Sequence, residues 1–160
     1  MRTPANIAKH PIHPMLVAVP IGLWLFSLIC DLFFYFGGGG ENWRIVACYT
    51  IAGGVVGALI AAIPGFIDML SLPWGLKRIA LMHMSINLTV VALYVVNYWM
   101  RAHDLQADAQ NMAPFWLSLA AVAMLVVSGW LGGKMIYVHG VAVESPPEPA
   151  PPSGHHGLEA

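Results

Sequence analysis

The chain has 160 residues, 58% of them hydrophobic and only 9% charged, with a formal net charge of -1. An ordinary soluble domain carries roughly 25% charged residues, so most of this surface must face something other than water. The absence of any basic run or aromatic-interleaved basic stripe excludes nucleic acid as a partner.

Apolar residues fill four stretches, 14–36, 45–67, 79–100 and 113–133, with the last helix expected to run on to 136. Each approaches the ~20 residues that a helix needs to cross ~30 Å of hydrocarbon. The first follows "KHPIHPM", Lys9 to Met15. Arg2 and Lys9 precede it as in a signal peptide, but the apolar run exceeds the roughly 7–15 residues of such a segment. It also ends in Gly37–Gly40 without an Ala-x-Ala site, which predicts a retained helix. Proline suits the first helical position and disfavours helix in the residue before it, so Pro14 predicts the helix start with His13 at its cap. If "HPIHP" is extended at ~3.1 Å per residue, His10 and His13 project the same way, ~9 Å apart.

Lipid offers no hydrogen bonds, so polar groups within a span should face the other helices. Steps of three and four along helix 1 gather His13, Val17, Pro20, Trp24, Ser27 and Asp31 on one face. Helix 2 carries a stripe of small residues, Gly53, Gly57 and Ala61, leading to Asp68, which predicts close backbone approach at the centre of the bundle. Helix 3 presents His83, Asn87, Val90, Tyr94 and Asn97, and helix 4 presents Ser118, Leu125, Ser128, Gly132 and Met135, leading on to His139. Aromatics near the helix ends, among them Tyr35, Trp43, Trp74, Trp99, Trp116 and Tyr137, suit interfacial belts.

The connections between the stretches are short, and loops of this length join antiparallel neighbours. The expected fold class is therefore all-α: an integral membrane four-helix bundle, up-down-up-down, spanning residues 1–143. Residues 144–160, rich in Pro, are expected to form a flexible tail. Arg2, Lys9, Lys77, Arg78 and Lys134 fall on one side and Arg44 and Arg101 on the other. The richer side is normally cytoplasmic, which puts both termini inside an inner membrane.

That topology brings His10, His13, His83 and His139 to the cytoplasmic end together with Asp68, while His103 lies at the other. Three readings of this cluster stand open. The imidazoles cap helix ends and pack against Asp68 in a non-catalytic accessory or assembly subunit. Alternatively, two of them hold a haem b, with His83 as the leading ligand because it lies well inside an apolar run, and His13 or His139 opposite. Asn87 would then support His83, Gly65, Gly132 and Gly133 would make room for the macrocycle, and Lys9, Lys77 or Arg78 would pair with propionates. In the third reading His10, His13, His83 and His139 supply ligands to zinc, copper or iron, with Asp68 beside them. Ligands at one level only exclude a pair of stacked haems carrying electrons across the bilayer.

Asp31, near the outer end of helix 1, is a second candidate for a proton or quinone role, unless Asn97 simply hydrogen-bonds it. Cys30 and Cys48 lie near the same face, and free thiols are expected. No Cys-x-x-Cys, P-loop or Ser-His-Asp arrangement supports hydrolase or nucleotide chemistry. The chain is therefore not expected to be a stand-alone enzyme.

"HPIHPMLVAVPIGLWLFSLICD", "PGFIDML", "HMSINL" and "GGKMIYVHGVAV" together resemble the bacterial four-helix membrane family known as domain of unknown function 2231. The resemblance covers residues 10–143 and implies a site made of His10, His13, Asp31, Asp68, His83 and His139. Some relatives resemble fusions to a Rieske-type iron-sulfur domain, which implies redox chemistry with a protein partner. The resulting expectation is one haem b serving electron transfer on the cytoplasmic side, alone, in an oligomer or in a larger membrane complex.

Overall fold

A computed structural model of the chain describes residues 3–103 and 111–143. Four helices long and apolar enough to cross a membrane follow one another: α1 (Ile12–Phe36), α2 (Glu41–Ser71), α3 (Trp74–His103) and α4 (Ala113–Val138). The fold is the expected all-α membrane bundle. Helices α2 and α3 extend several residues beyond their apolar cores, to Glu41 and Ser71 and to Trp74 and His103. The predicted tail, 144–160, lies outside the described residues.

Proline sets several of the local features. Helix α1 starts at Ile12, two residues before Pro14, so His13 lies in the first turn and not at the cap. First-turn N–H groups have no helical acceptor, so Pro14 costs nothing there. Pro20 cannot donate to the Leu16 carbonyl, and α1 is interrupted at Val17, between Ile12–Leu16 and Ala18–Phe36. Pro73 holds the preceding Leu72 extended (φ -70°, ψ 145°), which ends α2 and lets α3 begin at once.

Ahead of α1 the chain folds back on itself instead of running extended. Strand β1 (Asn6–Ile7) pairs antiparallel with β2 (His10–Pro11), in register Asn6 with Pro11 and Ile7 with His10. Ala8 and Lys9 make the two-residue turn, both at positive φ (48° and 70°), as a tight hairpin requires.

The helices pack in ring order, α1 on α2, α2 on α3, α3 on α4 and α4 back on α1, most closely in the α1–α2 and α3–α4 pairs. Helices α1 and α3 are diagonal and parallel, and they meet through side chains on the bundle axis. Trp24 and Tyr94 stack there, ring centroids 4.4 Å apart and 9° from parallel, in a core completed by Ile51, Val90 and Ala121. The Trp24 indole lies directly on Gly54, one residue from the predicted stripe position Gly53. Phe26, Ile63, Leu88 and Val126 point outward, as lipid-facing residues should.

Candidate functional site

Helices α1 and α3 place His13 and His83 together at the end of the axis that carries the amino terminus, ring centroids 6.3 Å apart with planes perpendicular. His13 Nδ1 lies 2.8 Å from the Ala61 carbonyl of α2. Pro64 loosens this turn by leaving the Ile60 carbonyl without its helical donor. The ring fits because residue 65 is glycine; a Cβ there would come within 2.6 Å of His13 Nδ1.

His83 Nδ1 lies 3.0 Å from the Ser128 carbonyl of α4, and Gly132 faces the edge of its ring. The Asn87 amide nitrogen is 2.6 Å from Ser128 Oγ, 2.8 Å from the His83 carbonyl and 3.2 Å from His83 Nε2. A carboxamide has two N–H donors, and the two shorter contacts use both. The His83 Nε2 lone pair is thus left without a committed donor.

A carbonyl can only accept, so each contact favours a proton on Nδ1, which in the uncharged ring leaves Nε2 as the lone-pair nitrogen; at His83 the Ser128 hydroxyl also lies 3.0 Å from Nδ1. Metal-binding histidines commonly have this arrangement, in which the second ring nitrogen donates to a carbonyl. A shared metal, with bonds of ~2.0–2.1 Å to each nitrogen, would separate two ring centres by up to about 6 Å.

The convergence expected of four histidines and Asp68 narrows to this pair. His10 is exposed on the hairpin, its Nδ1 bonded to the Ala8 carbonyl, because the chain turns back at Ala8–Lys9. His139 is exposed beyond a π turn, Lys134–Val138, whose extra residue per turn rotates it off the face of Ser128 and Gly132. Asp68 accepts the Ala5 N–H at 2.8 Å and faces the hairpin. Among the described residues no three His, Cys, Asp or Glu side chains gather as a metal-binding set. Gly65 and Gly132 seat the imidazoles themselves, where room for a macrocycle was expected. Lys77, half-buried, and Arg78, exposed, stand in the first turns of α3 at the same end, with Lys9 exposed on the hairpin.

At the far end of the axis Asp31 is fully buried. It receives two hydrogen bonds from Arg101, from Nη1 at 2.8 Å and from Nη2 at 2.7 Å. Arg101 Nε donates to Asn97 Oδ1, and Asn97 Nδ2 donates to the Pro114 carbonyl and to Ser118 Oγ. Asn97 therefore supports the partner of Asp31 and does not bond Asp31 itself. The spacing of Asn97 and Arg101, four residues apart on one helix, is the sequence signal that corresponds to this contact. His103 lies exposed at this end, its Nδ1 on the Trp99 carbonyl. Cys30 and Cys48 are both free thiols.

The sequence matches the family described as predicted membrane protein (DUF2231) over residues 9–145. The chain belongs to the DUF2231 family. The match takes in all four helices of the DUF2231 fold, the His13–His83 pair and the Asp31–Arg101 pair. No curated protein and no solved structure matches the chain.

Proposed function

We propose that His13 and His83 would hold one haem b in this DUF2231 protein, which would serve electron transfer at the face carrying its amino terminus. The observation that carries the reading is the shared contact: each ring sets Nδ1 against a backbone carbonyl, at 2.8 and 3.0 Å, an arrangement that leaves Nε2 to donate a lone pair. The donor set fits haem b, with two imidazoles from diagonal helices meeting on the axis of a four-helix bundle. When bound, haem supplies one-electron redox chemistry.

The protein's own contribution is to hold and insulate. Gly65 and Gly132 let the rings seat against α2 and α4, the Ser128 carbonyl holds the His83 ring while Asn87 holds the Ser128 hydroxyl, and Lys9, Lys77 and Arg78 offer positive charge to propionates. The excess of Lys and Arg at this end orients it to the cytoplasm of a bacterial inner membrane, where a redox protein or larger complex would exchange electrons. A small zinc, copper or iron centre is the second reading. It is favoured by the imidazoles, not open space, lying over Gly65 and Gly132.

Haem and metal content of the detergent-purified protein tests both readings. Wild type and His103→Ala should carry equal haem, and His13→Ala and His83→Ala should carry none. Metal without haem would select the second reading. Neither haem nor metal in the wild type would leave an accessory or assembly subunit.

A further inference from the structure

We infer that residues 3–11 form a strap that closes the aqueous mouth of the His13–His83 pair, with Asp68 as its latch. The inference rests on the reading of that pair as a binding site only for what the strap protects; its opening can be measured without any cofactor.

The first turn of α1 and the strap together meet three successive levels of one face of α2. The His13 ring reaches the Ala61 carbonyl, lies over Gly65 and, one turn further on, Asp68 Oδ1 accepts the Ala5 N–H at 2.8 Å. Asp68 is buried, as are Thr3 and Ala5, although these two belong to a segment with little apolar area of its own. The hairpin then returns the chain to α1, with Ile12 N–H bonded to the Ala5 carbonyl. Ala5 is therefore held at both its N–H and its carbonyl. Its carbonyl bond lies one residue from His13, so a strap that lifts from Asp68 pulls on the first turn that aims the His13 ring.

The turn itself is spring-like in chemistry. Ala8 and Lys9 occupy the left-handed region that residues with a Cβ adopt reluctantly, so the hairpin persists only while contacts such as Ala5 with Asp68 hold it. Breaking the latch should favour an open strap and expose His13.

Histidine modification by diethyl pyrocarbonate, read residue by residue by mass spectrometry on the full chain in detergent, tests the latch. In the wild type His10 and His139, both exposed, should react quickly and His13 slowly. Asp68→Ala should raise the His13 rate by about fivefold or more, the factor that one ordinary hydrogen bond makes in an opening equilibrium. Asp68→Asn keeps an acceptor for the Ala5 N–H and should react like the wild type. Ala5→Pro removes the donor without touching α2 and should reproduce Asp68→Ala, which keeps the test valid if Asp68→Ala fails to fold. An unchanged His13 rate in Ala5→Pro, or equal acceleration in Asp68→Asn and Asp68→Ala, would overturn the latch.

Discussion

Arg101 and Asp31 form a bidentate ion pair on the bundle axis, with side chains only 3% and 0% exposed. They are separated in sequence by 70 residues, and the same offset relates His13 to His83 and Trp24 to Tyr94. A constant offset is what two parallel helices in fixed register produce. Successive pairs lie 11 and 7 residues apart, close to three and two helical turns, so all three meet on one line between α1 and α3. The ion pair is the polar clamp that holds this register at the far end.

Removing one charge should therefore cost more than removing both. Asp31→Asn leaves a buried guanidinium uncompensated and is expected to destabilise the bundle by about 3–5 kcal/mol. Asp31→Leu combined with Arg101→Met should recover most of that loss, because a buried pair roughly breaks even against apolar side chains of similar size. Thermal unfolding in detergent of the single and double variants checks this. A double variant as unstable as Asp31→Asn contradicts it.

Much of this axis was legible in the sequence. Lipid cannot satisfy polar groups, so steps of three and four placed Trp24, Ser27 and Asp31 on one buried face and Val90, Tyr94 and Asn97 on another, as found. Arg101 was missed because the apolar run ends at Met100, whereas the helix continues to His103 and turns Arg101 inward. The positions of His10 and His139 depend on a hairpin turned by Ala and Lys, residues with no turn preference, and on a π turn. Neither feature has a signal in helical periodicity. The small-residue stripe of α2 was visible at Gly53, Gly57 and Ala61, but the glycines that receive α1 side chains, Gly54 under Trp24 and Gly65 under His13, depend on α1 register.

The glycines offer a graded test of packing. Gly54→Ala pushes a methyl group into the Trp24 ring and should cost about 1–3 kcal/mol of stability, as overpacked cores do. Gly22→Ala, on the same helix pair but with nothing within 4 Å, should leave stability unchanged or slightly raised. Equal effects from the two would argue against the Trp24–Tyr94 stack as the structural centre.

Tyr94 carries a fully buried hydroxyl with no hydrogen-bond partner among the described residues. Tyr94→Phe keeps the stack on Trp24 and removes the unpaired group, so it should stabilise the bundle by about 1 kcal/mol. Unfolding temperatures of the two proteins in the same detergent decide the sign, and a loss of stability would mean that the hydroxyl has a partner.

Asn87 and Ser128 should differ in their effect on the site. Asn87→Ala removes the amide that holds the Ser128 hydroxyl beside His83 and is expected to weaken cofactor retention about tenfold, the lower end of what supporting residues contribute. Ser128→Ala removes the hydroxyl 3.0 Å from Nδ1 but keeps the backbone carbonyl at the same distance, and should weaken it less. Titration of purified apoprotein with hemin compares them, and a larger loss in Ser128→Ala would show that the side chain, not the carbonyl, orients His83.

Haem held by the paired imidazoles would be seen at once in the visible spectrum of the freshly purified wild-type protein. A Soret band that sharpens and gives a resolved α band on reduction, present in wild type and absent in His83→Ala, is the predicted result. A well-folded, helical wild-type protein with no absorbance above the aromatic region would contradict it.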